Sequence, residues 1–382
     1  MHPQSDPEPL KSWISDQIRE SGPVTVAQFM AWALYHPTYG YYTAGPNIGP
    51  RGDFTTSPEA SPAFGRLLAR HLQEIDDLLG HPKPFDAIEC GPGRGTLAAD
   101  LLDTLQSEHA DLYARLRYRL VEISPALASA QHDTLLPGHA SVTRWYSGLE
   151  ELSGRVQGAV IANEFVDAFP VHVLANAGGA TQEQFVTLDS SGNLALTYLP
   201  PSSPDLARFL QEQAITLEPG QRIEINLDAN EWLGRLSRIF DRGIVTIIDY
   251  GAEAPTRYSP ARREGTLLGY YGGKVTDNIL AHPGKQDLTA LVDFTALQSA
   301  ALKEGFTLAG MTRQAPFLLG LGLGTTVTAE SATSSLDAAL QYRRGLQALI
   351  SMEGLGRFHV LLLSKNVPPE QTDTLSALTY RL

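Results

Sequence analysis

A single cysteine, Cys90, stands among 382 residues, which excludes an internal disulfide and any metal site built from several thiolates. So sparing a use of thiols makes a reducing compartment, the cytoplasm, the expected location. Long apolar runs are missing too. Nothing approaches the roughly 18 residues that a membrane-spanning helix needs, so no membrane insertion is expected. Residues 1–10 are short of arginine and carry Asp6 and Glu8, unlike a secretory signal or a mitochondrial transit peptide. Positive charge is scarce: 29 Lys and Arg face 42 Asp and Glu, a formal net charge of −13. Such a field repels nucleic acid, whose binding depends on neutralising phosphates, and either attracts a basic segment of a protein partner or serves solubility alone. No His-x-x-x-His or Cys/His set points to a metal. Neither a G-x-S-x-G elbow nor a phosphate-binding loop occurs.

Hydrophobic residues make up 43% and charged ones 19%, enough for one large α/β domain with additions, or for two domains. Two amphipathic helices come first. Leu10, Trp13, Ile14 and Ile18 form one stripe; Phe29, Met30, Ala33 and Leu34 form the other, with Thr25 and Gln28 as a capping box. Residues 35–59, rich in Gly, Pro and aromatics, predict a long ordered loop. A helix carrying Phe64, Leu67, Leu68, Leu72 and Ile75 follows. Short apolar runs at 85–90, 118–122, 141–145, 158–163 and 243–249 then alternate with amphipathic helices, the pattern of a parallel sheet covered on both faces. The step from Asn163 to Asp249 is about twice an ordinary strand–helix repeat, which marks an insertion. Inside it, 184–188 and 194–199 flank Asp189-Ser-Ser-Gly192 as a β-hairpin. Another long loop is expected from Asp249 to about residue 291, then a helix at 294–303, a strand at 306–312, a helix at 336–350 and a strand at 357–363. The fold class is α/β: a doubly wound, Rossmann-like sheet with an antiparallel last strand. Its expected parts are N-terminal helices and a loop (1–82), the core (83–172 and 242–365), an inserted hairpin and helix (173–241) and a tail (366–382).

The first strand ends in Glu89-Cys-Gly-Pro-Gly-Arg-Gly-Thr96. Glycines at 91, 93 and 95 let bare backbone approach a ligand. A dinucleotide fingerprint would need a third glycine where Thr96 stands. The acid followed by G-x-G-x-G better suits a methionine-derived nucleoside, with Glu89 holding its ammonium directly or through water. Glu122, at the tip of the second strand, is placed to accept hydrogen bonds from two ribose hydroxyls, a device NAD enzymes share, or else is a solvated acid at a strand end. The fourth strand ends in Asn163-Glu-Phe-Val-Asp-Ala-Phe-Pro170. Glu164 and Asp167, three residues apart on a turn, can face one pocket and hold a guanidinium or ammonium, or take up a proton; alternatively one of them caps a helix. In residues 52–59, Asp53, Thr55, Ser57 and Glu59 supply donors and acceptors without bulk, or else a turn and a helix cap. His172 continues the site or is a satisfied structural histidine. Asp249 and Tyr250 end the fifth strand at the same edge, and Asp287 follows the later loop. The catalytic candidates are therefore Glu164, Asp167 and Asp53. Glu89, the three glycines, Thr96, Glu122, Asn163, Thr55, Ser57 and Glu59 are candidates for the cofactor, and His172, Asp249, Tyr250 and Asp287 for the substrate.

Residues 29–42 (FMAWALYHPTYGYY), 52–59 (GDFTTSPE), 89–97 (ECGPGRGTL), 163–171 (NEFVDAFPV), 248–251 (IDYG) and 283–294 (PGKQDLTALVDF) together resemble the MidA family of class I methyltransferases. That family has mitochondrial members that assist respiratory complex I assembly. The likeness runs in consistent order from about residue 10 to 365. It implies S-adenosylmethionine as cofactor, contacted by Gly91, Gly93 and Gly95, with residues 52–59 closing over it. It also implies methylation of an arginine in a protein of the complex I subunit type. Residues 268–274 (LGYYGGK) depart from an arginine- and histidine-bearing stretch of the relatives, which bears on the choice of acceptor. Two other uses of such a sheet stay open: an NAD-linked oxidoreductase, against which Thr96 and the terminal strands speak, and a non-catalytic assembly factor keeping a nucleoside pocket.

Overall fold

Seven of the apolar runs pair into one sheet. In the computed structural model of the chain, which describes residues 9–45, 55–324 and 336–380, they are β1 (Phe85–Cys90), β2 (Leu116–Val121), β3 (Thr143–Tyr146), β4 (Val156–Asn163), β5 (Phe240–Asp249), β6 (Thr307–Arg313) and β7 (His359–Lys365). Their order across the sheet is β6-β7-β5-β4-β1-β2-β3. β1 to β5 run parallel, and β7 lies antiparallel between β5 and β6. β1 is buried at every position, as expected of a strand covered on both faces. The helix Ala63–Leu79 turns Phe64, Leu67, Leu68, Leu72 and Ile75 inward, and the helix Thr96–Glu108 turns in Leu97, Leu101, Leu102 and Leu105. These join Phe85, Tyr118, Ile161 and Ile244 in one core. Each such side chain contributes about 1.5–3 kcal/mol by leaving water. Strand order reverses between β1 and β4, and in open α/β sheets the crevice for a ligand opens at the carboxyl tips of such a pair.

The chain gathers into two compact units. This sheet belongs to the one made of Ile48–Val166, Trp232–Tyr250 and Gln298–Leu382; the other comprises Met1–Asn47, Asp167–Glu231 and Gly251–Leu297. In the second unit Val24–Thr25, Ala180–Leu188, His172–Ala177 and Arg222–Ile225 form a sheet, with Leu194–Leu199 added on Ala180–Leu188. The expected hairpin is thus present and antiparallel. Leu174, Ile223 and Ile225 pack with Leu206 and Phe209 of the helix Pro204–Glu212. The Thr25 hydroxyl accepts from Gln28 N at 3.0 Å and so caps the helix Val26–Tyr35.

Two expectations need correction. The stretch after Asp249 is not one long loop: Leu268–Tyr271, Lys274–Thr276 and Asp287–Thr289 form a three-stranded sheet. Gly272 and Gly273, at φ 56° and 72°, make the tight turn, but strands this short carry too few residues to show alternation. Residue 35 belongs to a helix rather than to the loop that follows. Among the described residues no helix is long and apolar enough to cross a membrane.

Candidate active site

The turn after β1 is shaped by backbone that only glycine adopts cheaply: φ is 65°, 55° and 83° at Gly91, Gly93 and Gly95. Gly91 N donates to Val121 O at 3.0 Å, which anchors the turn to the end of β2. A Cβ on Gly91 would stand 2.6 Å from Cδ2 of Phe165, whereas no described atom lies within 4 Å of a Cβ built on Gly93. One side of the turn is packed and the other is open. Gly95 then starts the helix Thr96–Glu108.

Two carboxyls flank this turn. Glu89 lies inside the sheet, 3% exposed, and accepts from the Tyr118 hydroxyl at 2.6 Å. Burial pushes it up to about 7, against the lowering Tyr118 hydrogen bond and with a smaller push from the charge of Glu122. Glu122 follows β2. Burial raises it also to about 7, although Ser124 N, the Gln131 amide and Ile123 N all donate to its charged form. Ser124 N reaches its Oε1 at 2.8 Å, and Gln131 Nε2 its Oε2 at 3.0 Å. The same Gln131 nitrogen donates to Gly93 O at 2.7 Å. Ile123, beside this acid, is 59% exposed. Sequence reasoning missed Gln131 and Ile123. Gln131 sits mid-helix, where only a buried polar group betrays it, and Ile123 reads as one more strand residue.

At the tip of β4, Glu164 takes a left-handed backbone, φ 49°, held by its N–H donating to Ile248 O at 2.8 Å. Its Oε1 accepts from Ser57 N at 2.9 Å and from Asn163 Nδ2 at 3.2 Å. Asn163 Oδ1 is buried and accepts from no described residue. Glu59 accepts from Thr96 Oγ1 at 2.6 Å, and Ser57 Oγ donates to Gln314 Oε1 at 3.0 Å. Two segments far apart in the chain, 57–59 and the strand tips, therefore meet within one unit. Thr55 is exposed at the start of this stretch. Asp53 lies outside the described residues.

The remaining candidates have structural partners. Asp249 Oδ2 accepts from Val166 N at 3.0 Å and Phe165 N at 3.2 Å, while its Oδ1 accepts from Tyr250 N at 2.9 Å; it clamps the turn that follows β4. The Tyr250 ring packs against Phe358, with centroids 5.4 Å apart. In the second unit, Asp167 Oδ2 accepts from Thr289 Oγ1 at 2.9 Å, and Asp287 from the Tyr42 hydroxyl at 2.9 Å. His172 Nδ1 lies 2.7 Å from Glu183 Oε1, and Glu183 also accepts from Ser202 N at 2.6 Å, so this histidine ties two strands together. Asp76, Asp77 and His81 bring donor atoms together, but Asp76 already pairs with Arg115 at 2.6 Å.

A sheet that reverses between β1 and β4, carries an antiparallel β7 and presents an open glycine turn beside a strand-tip acid defines a class I methyltransferase. The chain belongs to the family described as "Putative S-adenosyl-L-methionine-dependent methyltransferase", which matches residues 67–312. It is 30% identical over 380 residues to the protein arginine methyltransferase NDUFAF7, mitochondrial, of Mus musculus, covering 93% of this chain and 84% of that protein. The Drosophila melanogaster homologue is 34% identical over 322 residues, 78% of this chain and 70% of its own length. A solved structure from Burkholderia thailandensis, described as a candidate methyl transferase bound to S-adenosyl-homocysteine, matches with a TM-score of 0.85 at 30% identity. It covers 94% of this chain and 93% of that one. The Mus musculus and Drosophila melanogaster relatives are mitochondrial, which overturns the cytoplasmic expectation. One buried thiol fits any reducing compartment and cannot choose among them.

The residues present fit S-adenosylmethionine. The open face of Gly93 admits a ligand where a side chain would stand. Glu122 places a carboxylate beside the turn, of the kind that can accept from a pair of hydroxyls, and the buried Asn163 Oδ1 accepts from no described residue.

Proposed function

We propose that the chain transfers a methyl group from S-adenosylmethionine to an arginine nitrogen of a protein partner. The open glycine turn facing Glu122 is the observation that carries this reading. When bound, the cofactor supplies a methyl group on a positively charged sulfur, open to attack by an aligned nucleophile. The protein's own part is to bind, align and exclude water. Glu122 accepts the ribose hydroxyls, Ile123 gives an apolar face to the base, and the turn at 91–95 brings backbone against the remainder. Glu164, fixed by Ser57 and Asn163, orients the guanidinium of the acceptor and favours its approach by charge. Asp167, bonded to Thr289, positions the segment around it. A net charge of −13 suits a basic acceptor segment. The relatives' names as arginine methyltransferases support the choice of acceptor.

Calorimetric titration with S-adenosylhomocysteine, followed by label transfer from methyl-labelled cofactor to arginine-bearing protein, with respiratory complex I subunits assayed first, tests this. Heat of binding together with labelled arginine is the expected result. Binding without transfer to any protein would leave a nucleoside-binding assembly factor, and no binding at all would remove the reading.

A further inference from the structure

We infer that Gln131 is a positioning residue for the methyl donor: its amide spans the Gly93 carbonyl and the Glu122 carboxylate and fixes two walls of the nucleoside cradle against each other. Gln131 lies on the helix Pro125–His139 and is fully buried, a place where an apolar side chain is the ordinary choice. Its oxygen accepts from Trp145 Nε1 at 3.0 Å. An indole N–H can only donate, so the amide cannot flip, and both of its own N–H groups are turned toward the two acceptors. These are Gly93 O at 2.7 Å and Glu122 Oε2 at 3.0 Å. Through one side chain the tips of β1, β2 and β3 are braced together. Gly95 leaves room for the brace, since a Cβ there would stand 3.2 Å from Gln131 Cγ. Removing the amide takes this donor from two partly buried acceptors, and the Glu122 carboxylate is then held only by the backbone N–H groups of Ser124 and Ile123, less tightly in the pose that two hydroxyls require.

The inference rests on the methyltransferase reading above, and calorimetry with S-adenosylhomocysteine on the full chain separates the two. Binding by the unmodified protein secures that reading; absence of binding there overturns both. Gln131→Leu is expected to weaken binding by about tenfold or more, and Trp145→Phe, which removes the donor that anchors the amide oxygen, by a few-fold. In steady state the loss should fall on KM for S-adenosylmethionine, with kcat at saturating donor held within about twofold. A merely structural glutamine would instead lower the melting temperature and leave the affinity of the folded fraction unchanged. A folded Gln131→Leu that binds within about twofold of the unmodified protein, or that loses kcat rather than KM, overturns the inference. Should Gln131→Leu fail to fold, Trp145→Phe decides, and unchanged affinity there overturns it equally.

Discussion

Glu89 and Glu122 each hold a proton up to about 7 because burial takes their carboxyls out of water. Both folded values lie above the ordinary 4.5, so their contribution to stability is complete below that value and is lost as pH rises through about 7. On the proposed reading ligand binding has the opposite sense, since a carboxylate accepts two hydroxyls best when ionised. The affinity for S-adenosylhomocysteine should therefore rise as pH passes through about 7, and titrations at several pH values check this. Glu122→Gln should flatten most of that slope and weaken binding by about tenfold or more. Gly93→Val adds a side chain on the open face at φ 55°; it should abolish binding while costing the fold only about 1–2 kcal/mol, measurable by urea unfolding. Glu164 shows the same tension between strain and use. Replacing it by glycine relieves a left-handed backbone but removes the acceptor for Ser57 N, so stability should move by no more than about 1 kcal/mol while methyl transfer falls by about a hundredfold or more. The glycines and Glu122 were legible in the sequence because their chemistry is local to a strand end. Gln131 was not, since its partners lie on three other segments and nothing in its own neighbourhood marks it.

Among the elements, the short helix Ser57–Ala60 joins the sheet through two hydrogen bonds, Ser57 N to Glu164 and Thr96 Oγ1 to Glu59. Glu59→Ala should loosen it with a stability loss of about 1 kcal/mol and a several-fold higher KM for the methyl donor, read from initial rates. Asp249 does a different task. Three backbone N–H groups depend on its carboxylate, so Asp249→Ala should cost about 2–4 kcal/mol and abolish transfer by letting the turn after β4 relax. Most of the doubly wound sheet could be read in advance, because its strands are continuous apolar runs bounded by turn residues. The antiparallel hairpin around Asp189 was legible for a related reason: alternating strands flanked a Ser-Ser-Gly turn. What escaped were elements of two to four residues, such as Leu268–Tyr271, whose pairing with Asp287–Thr289 is decided by tertiary contact rather than by local pattern. Thr266, just before that strand, donates to Glu224, which also lies 3.4 Å from the buried Arg257. No short-range signal announces such a tether.

For the whole molecule, a charge of −13 predicts that the KM for a basic acceptor peptide rises with ionic strength, whereas the affinity for S-adenosylhomocysteine changes little. Rate measurements over a series of salt concentrations check the contrast. The single thiol adds a practical expectation. Cys90 is 1% exposed, and burial pushes it up to about 12, so alkylating reagents should leave the native protein unmodified.

β7 lies between β5 and β6, although residues 359–365 follow both in the chain. While the polypeptide is being synthesised, β5 presents an open edge until residues 359–365 have emerged, and β6 has no partner to dock upon. Completion of the sheet is thus a late event in the life of each molecule. A nascent chain stalled before residue 359 would expose the unpaired edge that invites association with other chains.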